Sequence, residues 1–364
     1  MWLLLVTLKL CLPARGKGGS GQDWPVLSQS LYLCWSYEKI CERTMTRSAT
    51  VTAMAALVIV LFAPAPAEAT FPGSNGPIAY EALPKIGITD PGTGSTDEAV
   101  SSGSGPSLFP GSRQVAYIRV VGFEDPLYPN LAEYSIYVKS LHPNHPRAPG
   151  RRITGQRAFS VRDLAVAPDG KRIVFVGQHP IGHHGPEFDI WSISIGGSGL
   201  HRLTKNRIFD NDVDVSPDGH HVAYVEKVDG RAQVFLMDID GSHQHRLTVD
   251  GRRDRAPHWS PDGRRITYFS APGKGHRAYR DTDVWSIAAG GGRPRHLATD
   301  AEDPVYSPDG RQIAFLRGYA IWLMRPGGSD QRRLSRGDPE SEITGLDWGS
   351  LGRGDLLDSS QPIR

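Results

Sequence analysis

The sequence predicts an all-β fold: a six-bladed β-propeller of four-stranded antiparallel blades, closed by a C-terminal strand near Leu346–Trp348 that joins the first blade. Three observations predict it. A short phrase recurs as Ala167-Pro168-Asp169-Gly170, Ser216-Pro217-Asp218-Gly219, Ser260-Pro261-Asp262-Gly263 and Ser307-Pro308-Asp309-Gly310, each copy leading into a short apolar run. Alignment on the apolar residue after the phrase gives Ile78, Val115, Ile173, Val222, Ile266 and Ile313, six copies spaced 37, 58, 49, 44 and 47 residues apart. The two ends of the series complement each other, since the first copy lacks a first strand and Gly345-Leu346-Asp347-Trp348-Gly349 reads as a first strand with no second. A period of this length specifies a repeat architecture, and closure of the ring protects strand edges that an open stack would expose.

Each strand of a blade has its own physical signature. In the copy beginning at Ala256, Pro257-His258-Trp259-Ser260 is a short first strand and Pro261-Asp262-Gly263 turns it. Proline presets φ, aspartate bonds nearby backbone and glycine accepts φ > 0. Arg265-Ile266-Thr267-Tyr268-Phe269 is β-branched and aromatic, a second strand. Asp283-Val284-Trp285-Ser286-Ile287 alternates as a half-buried third strand does, and Arg295-His296-Leu297-Ala298 follows a glycine turn as the fourth. Third strands recur at Ile136-Tyr137-Val138, Ile190-Trp191-Ser192, Val234-Phe235-Leu236 and Ile321-Trp322-Leu323; fourth strands recur at Arg152-Ile153-Thr154, Arg202-Leu203-Thr204, Arg246-Leu247-Thr248 and Arg333-Leu334-Ser335. Copies one and two are degenerate, with Asn75-Gly76-Pro77-Ile78 and Phe109-Pro110-Gly111-Ser112 in place of the full phrase. The recurring tryptophans, Trp191, Trp285 and Trp322 on third strands with Trp259 and Trp348 on first strands, read as packing between blades.

The phrase resembles the WD40-like (PD40) repeat of the TolB family of bacterial β-propellers, over roughly residues 71–349. The resemblance covers the propeller only, without the α/β domain that precedes it in TolB, so TolB's contacts with its lipoprotein partner are not carried over. Related propellers gate prolyl-oligopeptidase-like hydrolases, but no G-x-S-x-G nucleophile elbow occurs in this sequence.

The segments outside the repeats give the expected address. Residues 45–69 read as a secretory signal: Arg47, an apolar run from Ala53 to Ala63, then Ala67-Glu68-Ala69 as a small-x-small cleavage site. The run is too short for a comfortable membrane span, so the mature chain is expected to carry no stable one. Residues 1–44 read as an over-extended translation start or a disordered leader, residues 70–349 as the propeller and residues 350–364 as a polar tail. Cys11, Cys34 and Cys41 all precede the signal, so the exported chain is expected to lack disulfides and thiol chemistry. A net charge of +2, with basic residues spread among the blades, gives no argument for nucleic acid and suggests a solvated rim.

Chemistry on a propeller concentrates in the loops of one face. The second-to-third loops Val121–Glu133, Gly177–Phe188 and Ala271–Thr282 are longer than a turn requires, and Tyr128, with Pro126 and Pro129, is a candidate partner contact. His179, His183, His184 and Glu187 place imidazoles and a carboxylate in one loop, a donor set that zinc prefers, although adjacent histidines suit one ion poorly. Aspartates before first strands (Asp212, Asp254 and Asp303) point toward the channel, where clustered oxygens would suit calcium or a cationic ligand; the alternative is a turn-capping role. No catalytic set and no required cofactor emerge. The leading expectation is therefore an exported, non-catalytic interaction scaffold for another envelope or secreted protein, periplasmic, cell-wall-associated or secreted. The alternative is a small-ligand or carbohydrate-binding propeller, or a metal-assisted enzyme at the channel mouth.

Overall fold

The computed structural model describes residues 73–122, 133–141, 149–154, 160–178, 188–205, 210–272, 281–335 and 343–351. Within them the chain forms six four-stranded antiparallel sheets, and no described residue is helical. Blade one combines Asn75–Ala82, Lys85–Thr89 and Thr96–Val100 with the last strand, Ile343–Ser350, as its innermost member. The register confirms the closure read from the two chain ends: Leu346 pairs with Tyr80 and Trp348 with Ile78. Blades two to six begin with Ser104–Leu108, Ser160–Val166, Asp210–Val215, Arg253–Trp259 and Glu302–Tyr306, each the innermost strand of its sheet.

The repeated phrase forms the turn that its residues dictate. Ser260 Oγ donates to Asp262 Oδ1 at 2.6 Å and accepts Arg265 N–H at 2.8 Å, while Arg264 N–H reaches Asp262 Oδ1 at 3.1 Å. The same bonds recur around Ser216 and Ser307. The copy with alanine keeps only part of this ring, through Lys171 N–H to Asp169 Oδ1 at 2.8 Å.

The core is divided among the blade interfaces. Six clusters of buried apolar side chains each draw on two neighbouring blades, so every interface, including the one between the last and first blades, has its own core. Trp191, Trp259 and Trp348 are buried in them, and Trp285 and Trp322 pack against their edges. Trp348 ties the closing strand by donating Nε1–H to Gly76 O at 3.0 Å.

The fourth-strand motif is structural in a way its composition did not reveal. Thr204 Oγ1 accepts Ile190 N–H from the third strand at 2.8 Å and donates to Asp210 Oδ2 of the next blade at 2.5 Å. Thr248 repeats this with Val234 N–H at 3.0 Å and Asp254 Oδ2 at 2.5 Å. The preceding arginine folds back, Arg202 Nε–H to Thr204 O at 2.9 Å and Arg246 Nε–H to Thr248 O at 2.6 Å. These arginines therefore order the blade edge as well as facing solvent; Arg202 also pairs with Asp189 at 2.6 Å.

Candidate functional site: an acid-lined channel and one elaborated face

Each innermost strand carries a register shift near its middle, and at Gly105, Asp212, Ala256, Asp303 and Gly345 the backbone has positive φ. This local left-handed turn is a β-bulge, which re-aims neighbouring side chains. The result is a central cavity of about 200 Å³ lined by Asp163, Asp212, Asp214, His258, Asp303 and Asp347 among others.

The channel carboxylates bind the ring together. Asp163 Oδ2 accepts Val213 N–H at 2.7 Å, Asp212 Oδ2 accepts Ala256 N–H at 3.0 Å and Asp303 Oδ2 accepts Gly345 N–H at 3.0 Å. Two residues deeper, Ser107 Oγ accepts Val166 N–H at 3.1 Å, Asp214 Oδ2 accepts Trp259 N–H at 2.8 Å and Asp347 Oδ2 accepts Leu108 N–H at 2.6 Å. In every case the donor is the innermost strand of the next blade. Buried backbone N–H groups need such partners, because leaving one unmade is costly.

The electrostatics follow from crowding acids in a narrow space. Burial, reinforced by Asp212, pushes Asp163 up to about 7. Burial likewise pushes Asp347 up to about 6, and raises Asp303. Burial alone would lower His258, but Asp214, 3.6 Å away, with Asp347 and Asp163, outweighs it and pushes the imidazole up to about 9. The channel thus favours a cationic imidazole at His258 beside Asp163, Asp303 and Asp347, whose ionisation burial opposes.

The structure sorts the residues expected from sequence. Asp212 and Asp303 are brought together in the channel. Asp254 is not: it is fully buried at the junction of blades four and five, held by Thr248 Oγ1 of the one and by Ser270 Oγ of the other at 2.8 Å, and burial pushes it up to about 7. Tyr128, His179, His183, His184 and Glu187 lie outside the described residues, as do Ala67 and Ala69 of the signal. The Arg255 guanidinium lies 3.8 Å from the Asp212 carboxylate. Asp163, Asp214, His258 and Asp347 also line the channel. Among the described residues no group of three or more His, Cys, Asp or Glu side chains could hold a metal ion.

The second-to-third connections leave from the face on which the first strands start. First-strand starts pair with second-strand ends, as Ser160 with Gln178 and Arg253 with Ala271, so the second-to-third connections emerge beside the bulges. Leu83 (63% exposed) and Tyr319 (51%) sit at the second-to-third turns of blades one and six, and Val249 (75%) sits between the fourth strand of blade four and blade five.

Bulged innermost strands, side-chain staples across blade interfaces and a strand that closes the ring define a six-bladed β-propeller. A profile of the tricorn protease N-terminal β-propeller domain matches residues 186–315. TolB from Acinetobacter baumannii is similar in structure, with a TM-score of 0.59 and 20% identity, over 80% of this chain and 70% of that one. A putative TolB from Agrobacterium tumefaciens gives 0.54 and 18%, over 76% of this chain and 98% of that one. A chain of a nidogen/laminin complex gives 0.59 and 11%, over 75% and 97%. No curated protein sequence matches. Likeness at these identities is a likeness of fold.

Proposed function

We propose that the protein is an exported, non-catalytic propeller that presents its loop-bearing face to another envelope or secreted protein. The observation that carries this reading is the placement of exposed apolar side chains. Leu83, Val249 and Tyr319 stand at connection tips of one face, and Val120 leads into a long loop of the same face. A folded chain in water gains nothing by exposing large apolar groups around one rim, whereas a partner surface buries them. Export is supported by the signal pattern of residues 45–69. The similar nidogen/laminin chain comes from a protein–protein complex.

The channel is less suited to chemistry on a small ligand than its acid content suggests. Its described aspartates are engaged with backbone N–H groups of neighbouring blades, and a calcium ion or sugar hydroxyl would compete with those bonds. The reading is tested by crosslinked capture from the producing cell's envelope and culture fluid with the intact exported protein as bait. A partner recovered in stoichiometric amount, and lost with a combined Leu83→Ser, Val249→Ser and Tyr319→Ser variant of unchanged thermal stability, supports it. Equal recovery by parent and variant overturns it.

A further inference from the structure

One blade interface trades part of its apolar core for charge. On third strands, the residue two after the recurring aromatic is Ile193, Met237, Ile287 and Met324 in blades three to six, each buried and each paired with the apolar residue that opens the second strand. In blade two the same position, opposite Val115 on the strand Glu133–Ser140, holds Lys139. On fourth strands the core residue is Ile153, Leu203, Leu247, Leu297 and Leu334 in blades two to six. In blade one it is Ala99, because Glu98 stands opposite Gly87 as Arg202 stands opposite Trp191. Both departures meet at the interface between blades one and two.

A cleft of about 360 Å³ opens there, lined by Ala99, Tyr117, Arg119 and Lys139 among others. Lys139 Nζ donates to Ala99 O at 2.7 Å. At four other interfaces the matching carbonyl lies against a turn glycine of the next blade, Gly197, Gly241, Gly328 or Gly94. Arg119 stands four residues along the second strand from Val115, the partner of Lys139, which sets the two backbones about 13 Å apart along the strand. Among the described residues the Arg119 guanidinium makes no ion pair or hydrogen bond and only overlies the Tyr137 ring, 5.8 Å from its centroid. The Tyr117 hydroxyl also has no hydrogen-bond partner among them, and burial pushes it up, so it remains a protonated donor. The acid that lines the cleft, Glu98, is already paired with Lys85 at 2.8 Å.

We infer that this cleft binds a small organic polyanion, its charge carried by carboxylate or phosphate groups, with Arg119 and Lys139 as counter-charges and the Tyr117 hydroxyl as a donor. A guanidinium takes a carboxylate or phosphate through two parallel N–H bonds, whereas an ammonium acts as a compact point charge, so the two cations suit two anionic groups of one ligand. The cleft lies within the size range of small-molecule sites, about 300–1,000 Å³. Blades three to six fill the Lys139 position with isoleucine or methionine, so the scaffold itself does not require a lysine there. A charged group beside an apolar core costs desolvation, and an anion in the cleft offsets that cost.

The test is isothermal titration calorimetry of the untagged full chain at low ionic strength, with citrate, succinate and fructose bisphosphate as probes and glucose as the uncharged control. The expected result is saturable binding of at least one anion and none of glucose, at least tenfold weaker in Arg119→Gln and in Lys139→Met and lost in Ala99→Leu. The tighter probe tells a carboxylate ligand from a phosphate one. Lys139→Met and Ala99→Leu install residues that other blades carry at these places, so their melting temperatures should equal or exceed the parent's, which separates loss of binding from loss of fold. Absence of saturable binding of all three anions by the parent, or parent-like affinity in both Arg119→Gln and Lys139→Met, overturns the proposal.

Discussion

Thr248→Val is the sharpest test of how neighbouring blades are joined. Valine keeps the shape of threonine and removes only the hydroxyl. That hydroxyl accepts Val234 N–H at 3.0 Å and donates to Asp254 Oδ2 at 2.5 Å, and both residues are fully buried. A buried N–H left without a partner costs about 1–3 kcal/mol, and a hydrogen bond to a charged acceptor contributes about 1.5–3 kcal/mol. Asp254 keeps its bond from Ser270, so the carboxylate is only partly stripped. The expected loss is about 2–4 kcal/mol, read as a lower urea midpoint at constant slope. The size should depend on pH. Burial pushes Asp254 up to about 7, and Thr248 opposes that shift by stabilising the ionised form. Removal of the hydroxyl therefore penalises the charged carboxylate above all, and the loss at about pH 8.5 should exceed the loss at about pH 5.5. Thr248→Ser should restore most of the stability, and Asp254→Asn should shrink the effect of Thr248→Val in a double-mutant cycle. A loss below about 0.5 kcal/mol, or one of equal size at both pH values, refutes the staple as an energetic link.

Other expectations follow from the same geometry. Thermal stability should fall steadily from about pH 5 to about pH 9. Asp163 and Asp254, raised to about 7, and Asp347, raised to about 6, contribute stability that is full below the ordinary aspartate range and lost as pH rises through those values; His258 contributes stability lost between its ordinary 6.5 and about 9. A melting temperature that rises over this interval would count against the channel's proton arrangement. Trp348→Ala should cost about 3–5 kcal/mol, because it empties the core between the last and first blades and removes the bond to Gly76; a change within experimental error would show that the closing strand carries no load. Gly241→Ala should destabilise more than Gly291→Ala in the matching turn of blade five. Both have positive φ, but a Cβ at 241 would stand 2.5 Å from Leu203 O whereas one at 291 meets nothing within 4 Å, so equal urea midpoints would deny the close approach of blades three and four.

The turn phrase was legible because its bonds are local: Ser260, Asp262 and Arg265 satisfy one another within five residues, and no distant part of the chain is needed to interpret them. Closure was legible for a related reason, since a missing strand at one end matched a surplus strand at the other, and pairing of Leu346 with Tyr80 requires only that the ring be full. The channel was only half legible. Asp212, Asp254 and Asp303 look alike as aspartates at the start of a first strand, yet they separate when counted back from the proline of the phrase. Asp210 and Asp254 stand seven residues before Pro217 and Pro261, whereas Asp212, Asp163 and Asp303 stand five before Pro217, Pro168 and Pro308. Seven residues back, the described side chain faces the fourth-strand threonine of the preceding blade; five and three back, across the bulge, it faces the channel. Counting in this frame would also have found Asp214 and His258, three before their prolines. Strict alternation along a strand conceals the pattern, because the bulge inserts one residue and resets which side chains share a face. Comparison among the blades of one chain thus does for this propeller what comparison among relatives does elsewhere. Where all blades agree, the residues serve the ring, and where one blade departs without need, its residues are the ones to test for function.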